Sequence, residues 1–246
     1  MKKVVIIGAT SAMAAAVAKI YADQNSRLFL VGRNTEKLTS LANDLQVRGA
    51  DKVGIFELDI NEISQHKSML VEAEQCLEGI DIVLIAHGTL PDQKLCEQTT
   101  SIALSEFNTN ATNTIALLTE IANSLEQKKS GVIAVITSVA GDRGRPSNYL
   151  YGSAKAAVST FLEGLRVRMF KVGVHVLDIR PGFVATPMTQ HLDLPKLLIV
   201  EPEIVANSIV QAIDNNKDII YTPFFWKYII LMIKLLPNKI FKRLSI

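Results

Sequence analysis

The chain has 246 residues, 48% of them hydrophobic, with 26 Lys and Arg against 24 Asp and Glu, a formal net charge of +2. That length suffices for one large domain burying about 70–75% of its unfolded surface without staples. The composition excludes disorder, and the charge balance excludes nucleic-acid binding as a property of the whole chain.

Cys76 and Cys96 lack Cys-x-x-Cys spacing, and His66, His87, His175 and His191 do not fall at metal-ligand spacing, so neither a disulfide scaffold nor a metal site is expected. A mean hydropathy of +0.24 is high for a soluble monomer and points to apolar surface meant for a partner or a membrane. Lys2-Lys3 ahead of Val4–Ile7, with small residues near Ala12–Ala16, imitates a secretory leader. The rest of the chain supplies the sheet that such a strand needs, so the segment reads as the first strand, Lys3–Ile7. A helix over Ser11–Gln24 follows. The spacing then predicts strand Arg27–Val31, helix Asn34–Val47, strand Lys52–Leu58, helix Ile63–Leu77 and strand Asp81–Ala86. A long helical stretch, Ile102–Gln127, leads to strand Gly131–Thr137 and helix Tyr151–Lys171. Strand Val174–Ile179, helix Pro202–Ile213 and strand Asp218–Tyr221 complete the pattern. Short Val- and Ile-rich runs alternating with helices predict α/β architecture: one doubly wound parallel sheet of about seven strands, helices on both faces. Without a Pro-, Gly- or Ser-rich linker, residues 1–222 read as one domain and 223–246 as a tail. No run of 18 apolar residues occurs, so no ordinary membrane-spanning helix is expected.

The first strand ends in Gly8-Ala9-Thr10-Ser11-Ala12-Met13-Ala14. A turn there aims free backbone N–H groups and a helix N-terminus at an anion, and small residues let a pyrophosphate approach. A tight turn packing small residues under a helix accounts for the same residues. Tyr151 and Lys155, four apart, share a helix face. Ser138 lies just past the carboxyl end of a strand, where ligands bind in open α/β sheets. An adjacent ammonium is expected to lower the phenol of Tyr151 toward neutrality and make it an acid/base, while Ser138 donates a hydrogen bond to a carbonyl oxygen.

Gly8-x-x-x-Ala12-x-Ala14, Asn110, Ser138, Tyr151-x-x-x-Lys155 and Pro181-Gly182, in this order, resemble the short-chain dehydrogenase/reductase pattern over roughly residues 3–221. The resemblance implies a Rossmann fold, a nicotinamide cofactor and an Asn110–Ser138–Tyr151–Lys155 tetrad. On it, Tyr151 protonates a carbonyl oxygen and Lys155 holds the nicotinamide ribose. Ser138 polarises the carbonyl, and Asn110 holds a relay water. It also implies cofactor contacts from Gly8, Thr10, Ser11, Ala12 and Met13 in the turn, from Asp59 and Ile60 at the adenine, and from Ala86, His87 and Gly88. Ile179, Pro181, Gly182, Val184 and Thr186 would lie along the nicotinamide. Ala12 and Ala14 replace the turn's second and third glycines and crowd the pyrophosphate approach. The usual Asn-Asn-Ala-Gly is Ile85-Ala86-His87-Gly88, where His87 reads as a peripheral side chain rather than a proton carrier.

The second strand ends Leu30-Val31-Gly32-Arg33-Asn34, without the carboxylate that holds the NAD ribose. Arg33 offers planar donors to a 2′-phosphate, so NADP(H) is read over NAD(H), against the alternative of a surface arginine. The segment Gly182–Val200 reads as a lid. Its Met188, Leu192, Leu194, Leu197 and Leu198 either face an apolar substrate or pack the lid down; His191 lies in it too. Asp142, Arg143 and Arg145 are expected near the substrate mouth, meeting an anionic group or water.

Residues 221–246 hold five bases, no acid and six of the fifteen aromatics, including the sole tryptophan, Trp226. Phe224–Leu236 as a helix spans ~20 Å, short of a ~30 Å hydrocarbon core, and Pro237 interrupts it. This end reads as an interfacial membrane helix or as an oligomer interface. With the lid it is loosely similar to bacterial reductases of lipid-linked sugars such as the decaprenylphosphoryl 2-keto-ribose reductases. The expectation is an NADPH-dependent reductase of a carbonyl, small or lipid-linked, cytoplasmic or peripheral at the inner face of a membrane, and a homodimer or homotetramer. The rival is a non-catalytic NADP(H) sensor presenting its tail to a partner. The body alone carries −3 and the tail +5.

Overall fold

The computed structural model describes residues 1–190 and 192–243; His191 of the lid and residues 244–246 of the tail lie outside the described residues. In chain order the first half comprises β1 (Lys3–Ile7), α1 (Ala12–Asp23), β2 (Arg27–Gly32), α2 (Thr35–Val47), β3 (Lys52–Glu57), α3 (His66–Leu77) and β4 (Ile82–Ile85). The second half comprises α4 (Gln93–Gln98), α5 (Thr100–Phe107), α6 (Asn113–Lys128), β5 (Gly131–Ile136), α7 (Tyr149–Phe170), β6 (Val174–Pro181), β7 (Phe183–Val184), β8 (Ile199–Val200), α8 (Pro202–Asp214), β9 (Ile219–Thr222), α9 (Trp226–Leu235) and α10 (Asn238–Phe241).

Seven strands form one parallel sheet in the order β3-β2-β1-β4-β5-β6-β9. Successive strand side chains point to opposite faces, which explains the unbroken apolar runs. Val4, Ile6, Leu28 and Leu30 pack under α1, α2 and α8. Val5, Ile7, Phe29 and Val31 pack under α3, α6 and α7. The order reverses between β1 and β4, and the crevice at this switch point is where such sheets bind ligands.

The long helical stretch, the lid and the start of α7 differ from the sequence expectation, while the tail breaks where it predicts. The stretch expected to be one helix over Ile102–Gln127 is α5, a wider π-type turn at Asn108–Thr112, and α6, preceded by α4. Asn and Thr crowd this turn, and their side chains compete for the backbone. The lid is tied at both ends by β7 and β8, which pair Phe183 with Ile199 and Val184 with Val200. The tail is two helices, α9 and α10, separated at Pro237. Helix α7 begins at Tyr149, two residues before the expected start. Gln93 Oε1 accepts the Leu150 N–H at 3.0 Å and satisfies one of the first-turn donors.

Candidate active site

A cleft of about 190 Å³ opens at the carboxyl ends of β1, β2 and β4. Of the residues expected to contact the cofactor, Gly8, Thr10, Ser11, Arg33, Asp59, Ile60, Ala86, His87 and Gly88 line it, together with Thr89, Thr109 and Met188. Gly8 is irreplaceable on two counts. Its φ of +79° suits glycine, and a Cβ there would lie 2.6 Å from the His87 nitrogen. Ser11 caps α1 by accepting the Ala14 N–H at 3.3 Å. Ala12 and Met13, outside the cleft lining, occupy the first helical positions, whose N–H groups have no intrahelical acceptor. Arg33 is exposed, and no carboxylate pairs with it among the described residues. Small residues, free amides and an unpaired guanidinium fit a phosphate-bearing dinucleotide.

Gly88 joins this cleft to the tetrad. A Cβ on it would lie 3.0 Å from Asn110 Oδ1 and 3.3 Å from Lys155 Nζ. Asn110 is buried in the π-type turn. Its Oδ1 accepts the Thr89 N–H at 3.0 Å, and its Nδ2 donates to Thr89 Oγ1 at 2.8 Å and to the Glu106 carbonyl at 3.0 Å. With its oxygen and both amide hydrogens engaged, the side chain clamps the loop after β4 to the helix. Thr89 and Glu106, themselves hydrogen-bonded, are partners that no sequence motif marks.

Ser138 follows β5 and accepts the Ala140 N–H at 3.1 Å through Oγ, while its own hydroxyl faces the Tyr151 phenol. Lys155 Nζ is buried, donates to the Ile136 carbonyl at 3.3 Å and lies 5.7 Å from the centroid of the Tyr151 ring. Here the expected electrostatics are corrected. The Tyr151 ring keeps some exposure, but protein surrounds its phenol. Burial pushes that phenol up to about 12, against the opposing pull of Ser138. Burial also pulls Lys155 down to about 8, with the buried Asp178 opposing. Desolvation dominates at both groups, and Lys155 does not offset it at Tyr151. Tyr151 therefore holds its proton at neutral pH. Burial pulls His87 down to about 3, and Lys155 adds to the effect. The imidazole is neutral and bonded through Nε2 to Thr114 Oγ1 at 2.9 Å, an anchor rather than a proton carrier.

Pro181, Gly182, Val184 and Thr186 do not line the cleft. Pro181 ends β6 and Val184 is buried in β7. The Thr186 N–H donates to Thr189 Oγ1 at 3.3 Å, which organises the start of the lid. Gly182 lies under the tail: a Cβ on it would come within 1.8 Å of Trp226 Nε1. Trp226 is buried against Phe183, Ile230 and Val139, the neighbour of Ser138. Asp142 and Arg143, expected at a substrate anion or in water, also serve the tail. Asp142 is buried and pairs with Arg180 at 3.0 Å and Lys234 at 3.5 Å. Arg143 donates to the Ile233 carbonyl, to the Leu236 carbonyl at 3.0 Å and to Asn238 Oδ1 at 3.1 Å, and stacks 3.8 Å from the Phe241 centroid. Arg145 is buried, and its Nε has no partner among the described residues. No helix among the described residues is long and apolar enough to cross a membrane, and no acidic, His or Cys cluster among them would hold a metal.

The family model of short chain dehydrogenases matches residues 2–196. An uncharacterized oxidoreductase of Mycobacterium tuberculosis is 32% identical over 241 residues, covering 98% of this chain and 96% of that protein. One from Staphylococcus aureus is 28% identical over 218 residues, covering 89% of this chain and 93% of its own. A variant of actinorhodin polyketide ketoreductase, solved with NADPH, shares the fold at a TM-score of 0.80 and 18% identity, over 92% of this chain and 97% of that one. The matching family model, the curated relative at 32% identity across nearly the whole chain and the shared fold agree: this chain belongs to the short-chain dehydrogenase family of oxidoreductases.

Proposed function

We propose that the protein is an NADP(H)-dependent reductase of an apolar, carbonyl-bearing substrate, lipid-linked ketones included. The observation that carries this reading is the placement of Tyr151: its ring lies 5.7 Å from Lys155 Nζ, which a Cβ on the cleft residue Gly88 would approach to 3.3 Å, so an acidic hydroxyl stands beside the cofactor cleft. When bound, the nicotinamide supplies a hydride to the carbonyl carbon. Tyr151 gives its proton to the carbonyl oxygen, so that a ketone leaves as a secondary alcohol. The Ser138 hydroxyl, next to the Tyr151 phenol, donates to the same oxygen and fixes its position. Lys155 would hold the ribose hydroxyls, and Asn110 keeps the loop bearing Gly88 in place. The unpaired Arg33 supports a 2′-phosphate and hence NADP(H) over NAD(H). Met188 in the cleft and the exposed Leu192 and Leu197 of the lid support an apolar substrate.

Turnover of a panel of soluble and lipid-linked ketones, with NADPH and with NADH, tests the reading. Tyr151→Phe should lower kcat by about 10²–10⁴ while leaving NADPH affinity unchanged. Undiminished activity in that variant would sink the acid role. NADPH binding with no turnover by the wild type would favour the sensor reading.

A further inference from the structure

We propose that α9, together with the neighbouring rim of the lid, docks this protein on an anionic lipid bilayer. The inference rests on the shape and charge of the tail and is independent of the cofactor and the reaction.

Helix α9 is apolar almost all round, yet only one side of it is used by the body. At 100° per residue, Trp226, Ile230, Ile229 and Ile233 fall on one arc, and these pack inward. Tyr228, Leu231, Met232 and Leu235 fall on the opposite arc and are 53–73% exposed. Phe224, just before the helix, is also 73% exposed. Lys227 and Lys234 lie together on one border between the two arcs; Lys234 turns to Asp142, while the stem of Lys227 can run along apolar surface and its ammonium group reach headgroups. Leu198 of the lid packs into the same small core as Trp226, so its neighbour Leu197, 97% exposed, belongs to this edge of the molecule.

Charge selects the occupant. Lys227, Lys234, Lys239, Lys242 and Arg243 are all exposed, and the tail contains no acid. The acid that contacts the tail, Asp142, is buried and paired with Arg180. Anionic headgroups complement such a face, and the hydrocarbon beneath them takes the aromatic and aliphatic arc. A second copy fits less well. A two-fold contact would set like charges against each other. A ten-residue helix, about 15 Å long and about 10 Å wide, presents far less than the ~800 Å² per partner of a stable interface.

The platform is rigid where it meets the body. Arg143 grips the carboxyl end of α9, and Trp226 is wedged over Gly182. Trp226, on the inward arc, shares its small core with Val139, the neighbour of Ser138, so the helix that docks is anchored in the core next to the tetrad.

The test is co-sedimentation of the full-length protein with vesicles of phosphatidylcholine alone or mixed with phosphatidylglycerol. The wild type should pellet with the mixed vesicles, weakly with the neutral ones, and less as salt is raised. The variant Tyr228→Ser/Leu231→Ser/Met232→Ser/Leu235→Ser changes only exposed side chains and should partition at least about tenfold less. Lys227→Glu/Lys239→Glu leaves the Lys234–Asp142 contact intact and should erase the preference for phosphatidylglycerol. Thermal unfolding confirms that both variants fold. Equal partitioning of wild type and the four-serine variant would overturn the proposal. So would a wild-type dimer by light scattering that the four-serine variant dissociates, with neither protein pelleting.

Discussion

Replacing Gly182 with alanine probes how the tail is seated. The added Cβ would lie 1.8 Å from Trp226 Nε1 and 2.0 Å from Cε2. Ordinary carbon contacts lie at about 3.5–4.0 Å, so the indole must retreat by roughly 1.5–2 Å. Little room is available, since Trp226 is 2% exposed and stands edge-on to Phe183, with ring centroids 4.9 Å apart. Overpacking costs about 1–3 kcal/mol, and an overlap this deep belongs at the upper end. For a chain of this size each kcal/mol lowers Tm by about 2–4 °C, so a loss of about 6–12 °C is expected. Trp226→Ala alone removes a large buried ring and should cost about 3–5 kcal/mol. The two changes should be strongly non-additive. With the indole gone, Gly182→Ala should cost less than about 0.5 kcal/mol. Urea unfolding of the four proteins, followed by circular dichroism, measures the coupling. If Gly182→Ala costs as much without the indole as with it, or nothing in either background, the wedge is not what makes glycine necessary there.

Arg33→Ala should raise the KM for NADPH by about 10- to 100-fold, the worth of a charge-assisted hydrogen bond, and barely alter that for NADH. An unchanged ratio between the two cofactors would remove the 2′-phosphate assignment. Lys155, pulled down to about 8 by burial, carries its charge below that pH and loses it above. Reductive kcat/KM should therefore fall as pH rises through about 8, while Tyr151, held up to about 12, stays protonated. A profile flat through that range would contradict the role given to the ammonium. Thr89→Val leaves an Asn110 amide hydrogen buried without its acceptor and should lower stability by about 1–3 kcal/mol. Chemical denaturation reads this directly, and a neutral result would mean that the clamp carries no load.

Local geometry is what the sequence by itself determined. Strand and helix periods follow from neighbouring residues, so seven parallel strands, the turn at Gly8 and the shared face of Tyr151 and Lys155 were legible, as was a tail with bases and no acids. Long-range packing decided the rest. Asn110 found Thr89 across a loop. Asp142 and Arg143 turned from the expected substrate mouth to the tail, and Gly182 was claimed by Trp226. The proton affinity of Tyr151 reversed direction for the same reason. Spacing reports which charges lie near a phenol, whereas the fold decides how much water remains around it, and here the loss of water outweighs the hydrogen bond from Ser138.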